Sequence, residues 1–61
     1  MLDFKALRLA AGLATQQAAA DTLDVDRRSI GRWERGDIAP PVVVVLALRC
    51  MAIIRIDRLA P

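Results

Sequence analysis

The sequence predicts an all-α fold of four to five helices, in a single domain over residues 1–61. Its composition is 56% hydrophobic but only 3% aromatic, so Leu, Ile, Val and Ala must build most of the core, as is typical of helices. Capping residues and helix-breaking Gly and Pro divide the chain into short segments with apolar residues at helical spacing. A chain of this length buries only about 60% of the surface of its unfolded form, so we expect one domain and a partner subunit.

The first two helices are predicted over residues 3–11 and 16–23. Asp3 is a suitable N-cap for the first helix, because its carboxylate can accept a hydrogen bond from a free backbone N–H. Gly12 can end that helix, since glycine adopts the left-handed conformation of a C-cap at little cost. Thr15 can cap the second helix in the same way as Asp3 caps the first.

The third predicted helix covers residues 27–35. Asp26 precedes it as an N-cap whose negative charge also suits the positive end of the helix dipole. Ile30 and Trp33 are three residues apart and form its buried stripe, with Trp33 assigned to the core, and Gly36 ends the helix. The remaining residues are expected on the outer surface: Arg27, Arg28, Gly31, Arg32 and Arg35.

The fourth predicted helix follows a proline pair. Pro41 suits its first position, because the missing N–H of proline is not needed there. The valines at 42–45 are β-branched, which favours a strand, but the apolar run continues beyond strand length without a turn signal. We therefore expect a helix over residues 42–52. Residues 53–59 could extend this helix or form a short strand, since periodicity does not decide between the two.

Four arginines are concentrated in the stretch RRSIGRWERG at residues 27–36, in a chain with nine basic residues. A charged stretch on a short amphipathic helix is often only a solvated face. Here the charges have one sign apart from Glu34, and all are arginines, whose planar guanidinium matches phosphate oxygens and guanine edges. Gly31 lies among them with no side chain where a partner would touch the helix. A short arginine-rich helix after a three-residue turn is the layout of a helix-turn-helix, whose second helix enters the major groove.

Residues 13–41, LATQQAAADTLDVDRRSIGRWERGDIAPP, resemble the lambda-repressor-like helix-turn-helix family, which includes phage repressors, Cro proteins and many small bacterial regulators. The matching residues follow one another in order: Thr15, Gln16, Ala20, Leu23, Val25, Ile30, Trp33, Glu34, Arg35, Gly36, Pro40 and Pro41. The usual glycine of the turn is replaced by Asp24, and aspartate tolerates left-handed backbone better than most residues.

The resemblance implies roles for particular residues. Three would reach base edges, where arginine favours guanine O6 and N7: Arg27, Arg28 and Arg32. Gln16 matches a glutamine that touches a phosphate and braces the recognition helix, Arg35 lies where the helix end meets the DNA backbone, and we expect Ser29 to be structural or to contact a phosphate. Arg8 and Glu34 match a pair that often forms an ion pair between the first and third helices.

The predicted function is sequence-specific binding of double-stranded DNA by a transcriptional regulator, a repressor of a phage or mobile-element promoter. We expect a homodimer on a palindromic operator, because residues 42–48 would be apolar on all sides of a helix and one small core cannot cover them. The alternative is an antitoxin-like or adaptor module that uses the apolar segment 42–56 to bind a protein. Its arginine face would then bind an acidic partner.

The residues present argue against catalysis. The chain has no histidine, no glycine-rich phosphate loop and a single cysteine, Cys50, which we expect to be buried as a small hydrophobe. We therefore expect no enzyme activity, cofactor, metal site or small-molecule ligand. Residues 38–48 are an apolar run well short of the roughly 20 residues of a membrane-spanning helix, and no signal-peptide pattern is present. The expectation is a cytoplasmic protein that does not contact a membrane.

Overall fold

Four α-helices make up the part of the chain that the computed structural model describes, residues 3–59. They are α1 (Phe4–Ala10), α2 (Gln16–Leu23), α3 (Arg27–Arg35) and α4 (Val42–Leu59). No strand occurs within this range, and none of its helices is long and apolar enough to cross a membrane. The all-α prediction is confirmed, with four helices and no fifth among these residues.

The predicted capping residues begin the first three helices. The carboxylate of Asp3 accepts a hydrogen bond from a first-turn N–H of α1 at 3.3 Å, and the hydroxyl of Thr15 does the same for α2 at 3.0 Å. The carboxylate of Asp26 accepts from the second N–H of α3 at 2.9 Å. Each side chain satisfies a donor that has no partner inside its helix. The first helix starts at Phe4, after its cap, and ends at Ala10, slightly inside the predicted range.

Left-handed backbone closes the turn between α2 and α3. Asp24 has φ 56° and ψ 48°, so aspartate holds the conformation that glycine adopts most readily. The N–H of Val25 donates to the carbonyl of Ala20 at 3.0 Å, which satisfies a carbonyl at the end of α2. Gly36, with φ 79°, ends α3 in a similar way. Local backbone conformation therefore sets both ends of α3.

The core lies between the inner faces of the four helices. Ile30 of α3 and Leu48 of α4 are its largest fully buried side chains. The other members of this cluster are Phe4, Ala11, Leu13, Ala19, Ala20 and Val44. Trp33 is only half-buried and packs at the edge of the core, with its ring centroid 5.4 Å from that of Phe4 and the rings tilted by 59°. This tilted arrangement is one that aromatic pairs prefer.

The last helix, α4, is longer than the range 42–52, because residues 53–59 continue it and do not form a strand. The carbonyl of Pro41 accepts hydrogen bonds from the N–H groups of Val44 at 3.0 Å and Val45 at 3.2 Å. Pro41 therefore precedes the helix and supplies its first acceptor, whereas the sequence predicted it as the first helical residue. A helix that already has a full turn of valines continues at little extra cost, since each further residue adds one hydrogen bond.

Cys50 is exposed, so the prediction of a buried cysteine is wrong. The buried positions of α4 are Val44, Leu48 and Ala52, which recur every four residues along one side of the helix. Cys50 follows Leu48 by two residues and therefore lies about 200° around the helix axis. The apolar residues on both faces of α4 hide this difference in the sequence.

Arg55 joins the C-terminal half of α4 to the end of α1. Its Nη1 donates hydrogen bonds to the carbonyls of Leu9 at 3.1 Å and Ala10 at 3.4 Å. Its side chain also lies against Gly12, where an added Cβ would come within 3.3 Å of Arg55 Cδ. A cation at a helix C-terminus is favourable, because the last carbonyls carry partial negative charge.

Candidate nucleic-acid interface

Four arginines project from the outer side of α3. Arg27, Arg28, Arg32 and Arg35 are exposed, whereas Ile30 on the inner side is fully buried. The arginines share one side because residues three and four apart are neighbours on a helix surface. The capping carboxylate of Asp26 is the acidic group at the start of α3, and the first turn itself contains no acidic residue, so Arg27 and Arg28 keep this end of the helix cationic. The surface is suited to an anion.

Gln16, at the start of α2, joins the arginines in one groove. We call this the arginine groove; its volume is about 400 Å³, and its walls are Gln16, Arg27, Arg28, Gly31, Arg32 and Arg35. The side chains of these walls carry guanidinium donors and one amide, with no carboxylate among them. Such groups can donate hydrogen bonds to phosphate oxygens or to guanine O6 and N7. Five of the six residues predicted to contact DNA thus lie together, while the sixth, Ser29, is half-buried and does not line this groove.

Gly31 is buried, which corrects the expectation that it lies on the outer surface. A Cβ added there would meet Arg35 Nη1 at 3.3 Å and Gln16 Oε1 at 4.0 Å. The physical reason is that a helical side chain leans back over the preceding turn, so Arg35 covers the position four residues earlier. The missing side chain at Gly31 makes room for Arg35 and Gln16 within the protein.

The arginines of α3 differ in their acidic neighbours. Arg35 Nε lies 3.0 Å from Asp37 Oδ2, in an ion pair whose two side chains are 65% and 56% exposed. Within residues 3–59, Arg27, Arg28 and Arg32 form no ion pair. An exposed pair of this kind contributes about 0 to 1 kcal/mol, so an anion can displace Asp37 at little cost. Arg35 is held at the end of α3, and the other three arginines are available to a partner.

Beneath this surface, Arg8 of α1 and Glu34 of α3 form a buried ion pair. Arg8 Nε lies 3.2 Å from Glu34 Oε2, and the two side chains are 5% and 10% exposed. Arg8 Nη1 also donates a hydrogen bond of 2.8 Å to the carbonyl of Leu13, in the segment between α1 and α2. The expected pair is therefore present, and one guanidinium connects three parts of the motif. It fixes α3 against α1.

A second groove, which we did not expect from the sequence, lies between the end of α3 and α4. We call it the α3–α4 groove; its volume is about 520 Å³, and its apolar walls include Trp33, Ile38, Pro40, Val42 and Leu46, with Arg49 at one side. These walls come from α3, from α4 and from the connection between them, which come together in the folded chain. The half-buried position of Trp33 follows from this groove, and no periodicity in the sequence separates it from full burial.

Residues 3–59 contain no group of three or more His, Cys, Asp or Glu side chains that could hold a metal ion. The chemistry of the site is that of cationic and amide donors on α2 and α3.

Comparison with known proteins gives a match to one family model. The family is described as Helix-turn-helix, and the match covers residues 4–50, which include α1, α2, α3 and the first half of α4. Neither a curated protein nor a solved structure matches the chain.

Proposed function

The chain belongs to the lambda-repressor-like helix-turn-helix family of DNA-binding regulators, and from this membership we propose that it is a sequence-specific regulator that reads the major groove with α3. The observation that carries the proposal is the arginine groove, in which five arginine and glutamine side chains from α2 and α3 face outward together. Duplex DNA offers the matching chemistry, a regular array of phosphates beside guanine edges.

Three arginines read bases in this proposal. Arg27 and Arg28 lie at the N-terminus of α3, the end that points into the major groove of DNA in a helix-turn-helix. Arg32 follows one turn later. Each guanidinium can donate two hydrogen bonds to O6 and N7 of one guanine, a contact that discriminates by about 1–3 kcal/mol against a wrong base. The operator should therefore contain guanine where these side chains reach.

The remaining contacts hold the DNA backbone. Gln16 begins α2, where a side-chain amide can donate to a phosphate beside the free N–H groups of the helix N-terminus. Arg35 is one turn beyond Arg32, at the end of the helix, where the major groove of the DNA has curved away from α3. There a phosphate replaces Asp37 as the partner of Arg35. Ser29 is half-buried beside these residues and contributes, at most, its hydroxyl to a phosphate. Such contacts set orientation without choosing a base.

The regulator acts in the cytoplasm as a dimeric repressor, on a palindromic operator of a phage or other mobile element. Two copies related by a two-fold axis require a site with the same symmetry. A bound dimer represses by covering the promoter, which needs no contact beyond those with DNA. The exposed apolar side chains of α4 support the dimer.

The competing function is an antitoxin-like or adaptor module that binds another protein through residues 42–56. Six exposed apolar side chains on α4 favour it as a second candidate. The two functions differ in the salt dependence of binding to random duplex DNA, since only a protein that neutralises phosphates releases counterions.

Selection of bound sequences from a random duplex library tests the proposal. We expect palindromic sites with guanine in each half, and an affinity for random duplex that falls with a slope of about −0.9 per phosphate contact in log affinity against log salt. Alanine at Arg27, Arg28 and Arg32 together should abolish the enrichment, whereas Arg58→Ala, which removes an exposed arginine of α4, should retain it. No affinity for duplex DNA at low salt would contradict the proposal and favour the protein-binding module.

A further inference from the structure

The helix α4 leaves more apolar surface uncovered than a small soluble monomer usually does. Its exposed apolar residues are Val42, Val43, Leu46, Ile53, Ile54 and Ile56, at 47–73% exposure. The chain has an accessible surface of 4483 Å², whereas a compact monomer of 6.7 kDa would expose about 3,900 Å². The chain therefore exposes about 600 Å² more surface than a compact monomer of its mass.

The two ends of α4 carry complementary shapes. Near its N-terminus, Val42 and Leu46 form one wall of the α3–α4 groove. Near its C-terminus, Ile53 and Ile56 project into solvent, each 67% exposed, and neither lines that groove. A surface with a groove at one end and protruding side chains at the other is complementary to itself under two-fold rotation. Two antiparallel α4 helices would fill both grooves at once.

We propose that two copies of the chain pair through antiparallel α4 helices, with the C-terminal half of each helix packed in the α3–α4 groove of the other. The pairing rests on the homodimer of the proposed function and gives it a geometry. Leu46 and Ile53 are seven residues apart and share one side of α4, which is the spacing of a helix-pairing stripe. Antiparallel pairing places each Leu46 opposite the partner's Ile53, with Arg49 and Cys50 near the two-fold axis.

Charge at the two ends of α4 favours antiparallel over parallel pairing, while the two Arg49 side chains come near each other in either direction. The first turn of α4 contains no acidic residue, so its positive end is not neutralised from within that turn. Asp57 is exposed and has no ion-pair partner in the described range. In the antiparallel register, Asp57 lies beside the partner's Val42, at the start of the partner's α4. Parallel helices would instead bring the two Asp57 carboxylates together and leave both grooves open.

Sedimentation equilibrium at micromolar concentration tests the pairing. The wild-type chain should sediment with twice its 6.7 kDa mass, and Ile53→Lys should reduce this to the mass of one chain. Ile54→Lys is the matched control, because Ile54 is the same residue type on the same helix but lies about 100° further round, on the side away from the groove. It should remain a dimer. A monomeric wild type, or equal behaviour of the two lysine variants, would overturn the pairing.

Disulfide trapping tests the direction of the helices and does not depend on a lysine variant that folds. In a Cys50→Ser background, Leu46→Cys and Ile53→Cys are purified separately, mixed and treated with diamide. Diamide takes two electrons and two protons from a pair of thiols and becomes a hydrazine as the S–S bond forms. Antiparallel packing brings positions 46 and 53 within the roughly 4.4–6.8 Å between Cα atoms that a disulfide spans. Two copies of position 46 lie about 10 Å apart along the axis, too far to link.

The mixture should therefore give a linked product with one chain of each kind, and neither variant alone should link. Self-linking of either variant as fast as the mixture, or no linking in any sample, would overturn the antiparallel arrangement. None of these measurements contains DNA. A monomer that still selects operator sequences would refute the pairing and leave the proposed DNA binding intact. A trapped dimer without affinity for duplex DNA would refute the proposed DNA binding and leave the pairing intact.

Discussion

The exposed faces of α3 and α4 carry opposite kinds of surface. The outer side of α3 presents four arginines, while that of α4 presents six apolar side chains. Guanidinium groups are well solvated in water and leave it only for an anionic partner. Apolar groups, in contrast, are stabilised whenever another surface covers them. The two faces therefore suit partners of different chemistry, as in the two proposals above: DNA for α3 and a second copy of the chain for α4.

The two faces also differ in what lies beneath them. The arginine face rests on Ile30 and on the buried pair of Arg8 and Glu34, which hold α3 in one orientation. The face of α4 rests on a narrow buried stripe around Leu48, with Arg55 holding its C-terminal half to α1. A surface that reads bases must be rigid, because each base contact depends on geometry. A surface that pairs copies needs mainly area and shape.

The largest expected effect separates the two sides of α4. Leu48→Ala should lower the free energy of unfolding by about 2–5 kcal/mol, because Leu48 is fully buried and its loss leaves a cavity. Leu46→Ala, at a side chain that is 55% exposed, should cost less, and only at protein concentrations where the dimer forms. Urea unfolding at two protein concentrations measures both. A concentration-independent loss of equal size in the two variants would remove the distinction between the inner and outer sides of α4.

The next effect concerns the support beneath the arginine face. Glu34→Gln should lower the free energy of unfolding by about 3 kcal/mol, because it leaves the buried Arg8 without a compensating charge. Asp37→Asn is the control, since it breaks the exposed pair with Arg35 and should cost under about 1 kcal/mol. Thermal melts of the two variants make the comparison. An unchanged melting temperature for Glu34→Gln would mean that the pair does not hold α3.

The smallest effect concerns the turns at the ends of α3. Asp24→Gly should raise the free energy of unfolding by about 0.5 kcal/mol. The backbone strain that is relieved when a left-handed residue becomes glycine slightly exceeds the conformational entropy that glycine adds to the unfolded chain. Gly36→Ala should lower it by about 1 kcal/mol, since its φ of 79° is strained for alanine while the space around it is open. In melts, a loss of stability for Asp24→Gly would show that the Asp24 side chain contributes more than its backbone strain costs.

The contrast between α3 and α4 also explains what the sequence could predict. The bounds of α2 and α3 agree with the structure because a capping side chain begins each helix and a left-handed residue follows each one. The amphipathic pattern of α3 also identified Ile30 as its inner residue. In α4, apolar residues occur on every side, so periodicity decided neither how far the helix extends nor that Cys50 faces outward.

The parts of the site that the sequence did not predict depend on contacts between distant segments. Gly31 lies under Gln16 of α2 as well as under Arg35, which is one turn further along α3. The α3–α4 groove requires Trp33, Pro40 and Leu46 to come together. Residue types on one helix can indicate that Arg27, Arg28 and Arg32 face outward, but they carry no information on what a side chain from another helix covers.

The central claim is that the arginines in the first two turns of α3 read bases, whereas Arg35 at the end of the helix holds a phosphate. A comparison of Arg32→Ala with Arg35→Ala tests this claim most directly. Both variants are measured on the selected operator and on random duplex across a range of salt concentrations. Arg32→Ala should cost about 1–3 kcal/mol on the operator and relax the preference at one base position. Arg35→Ala should weaken both DNAs alike and reduce the salt slope by about one. If Arg32→Ala weakens operator and random duplex equally, Arg32 holds a phosphate and the assignment of the reading face is wrong.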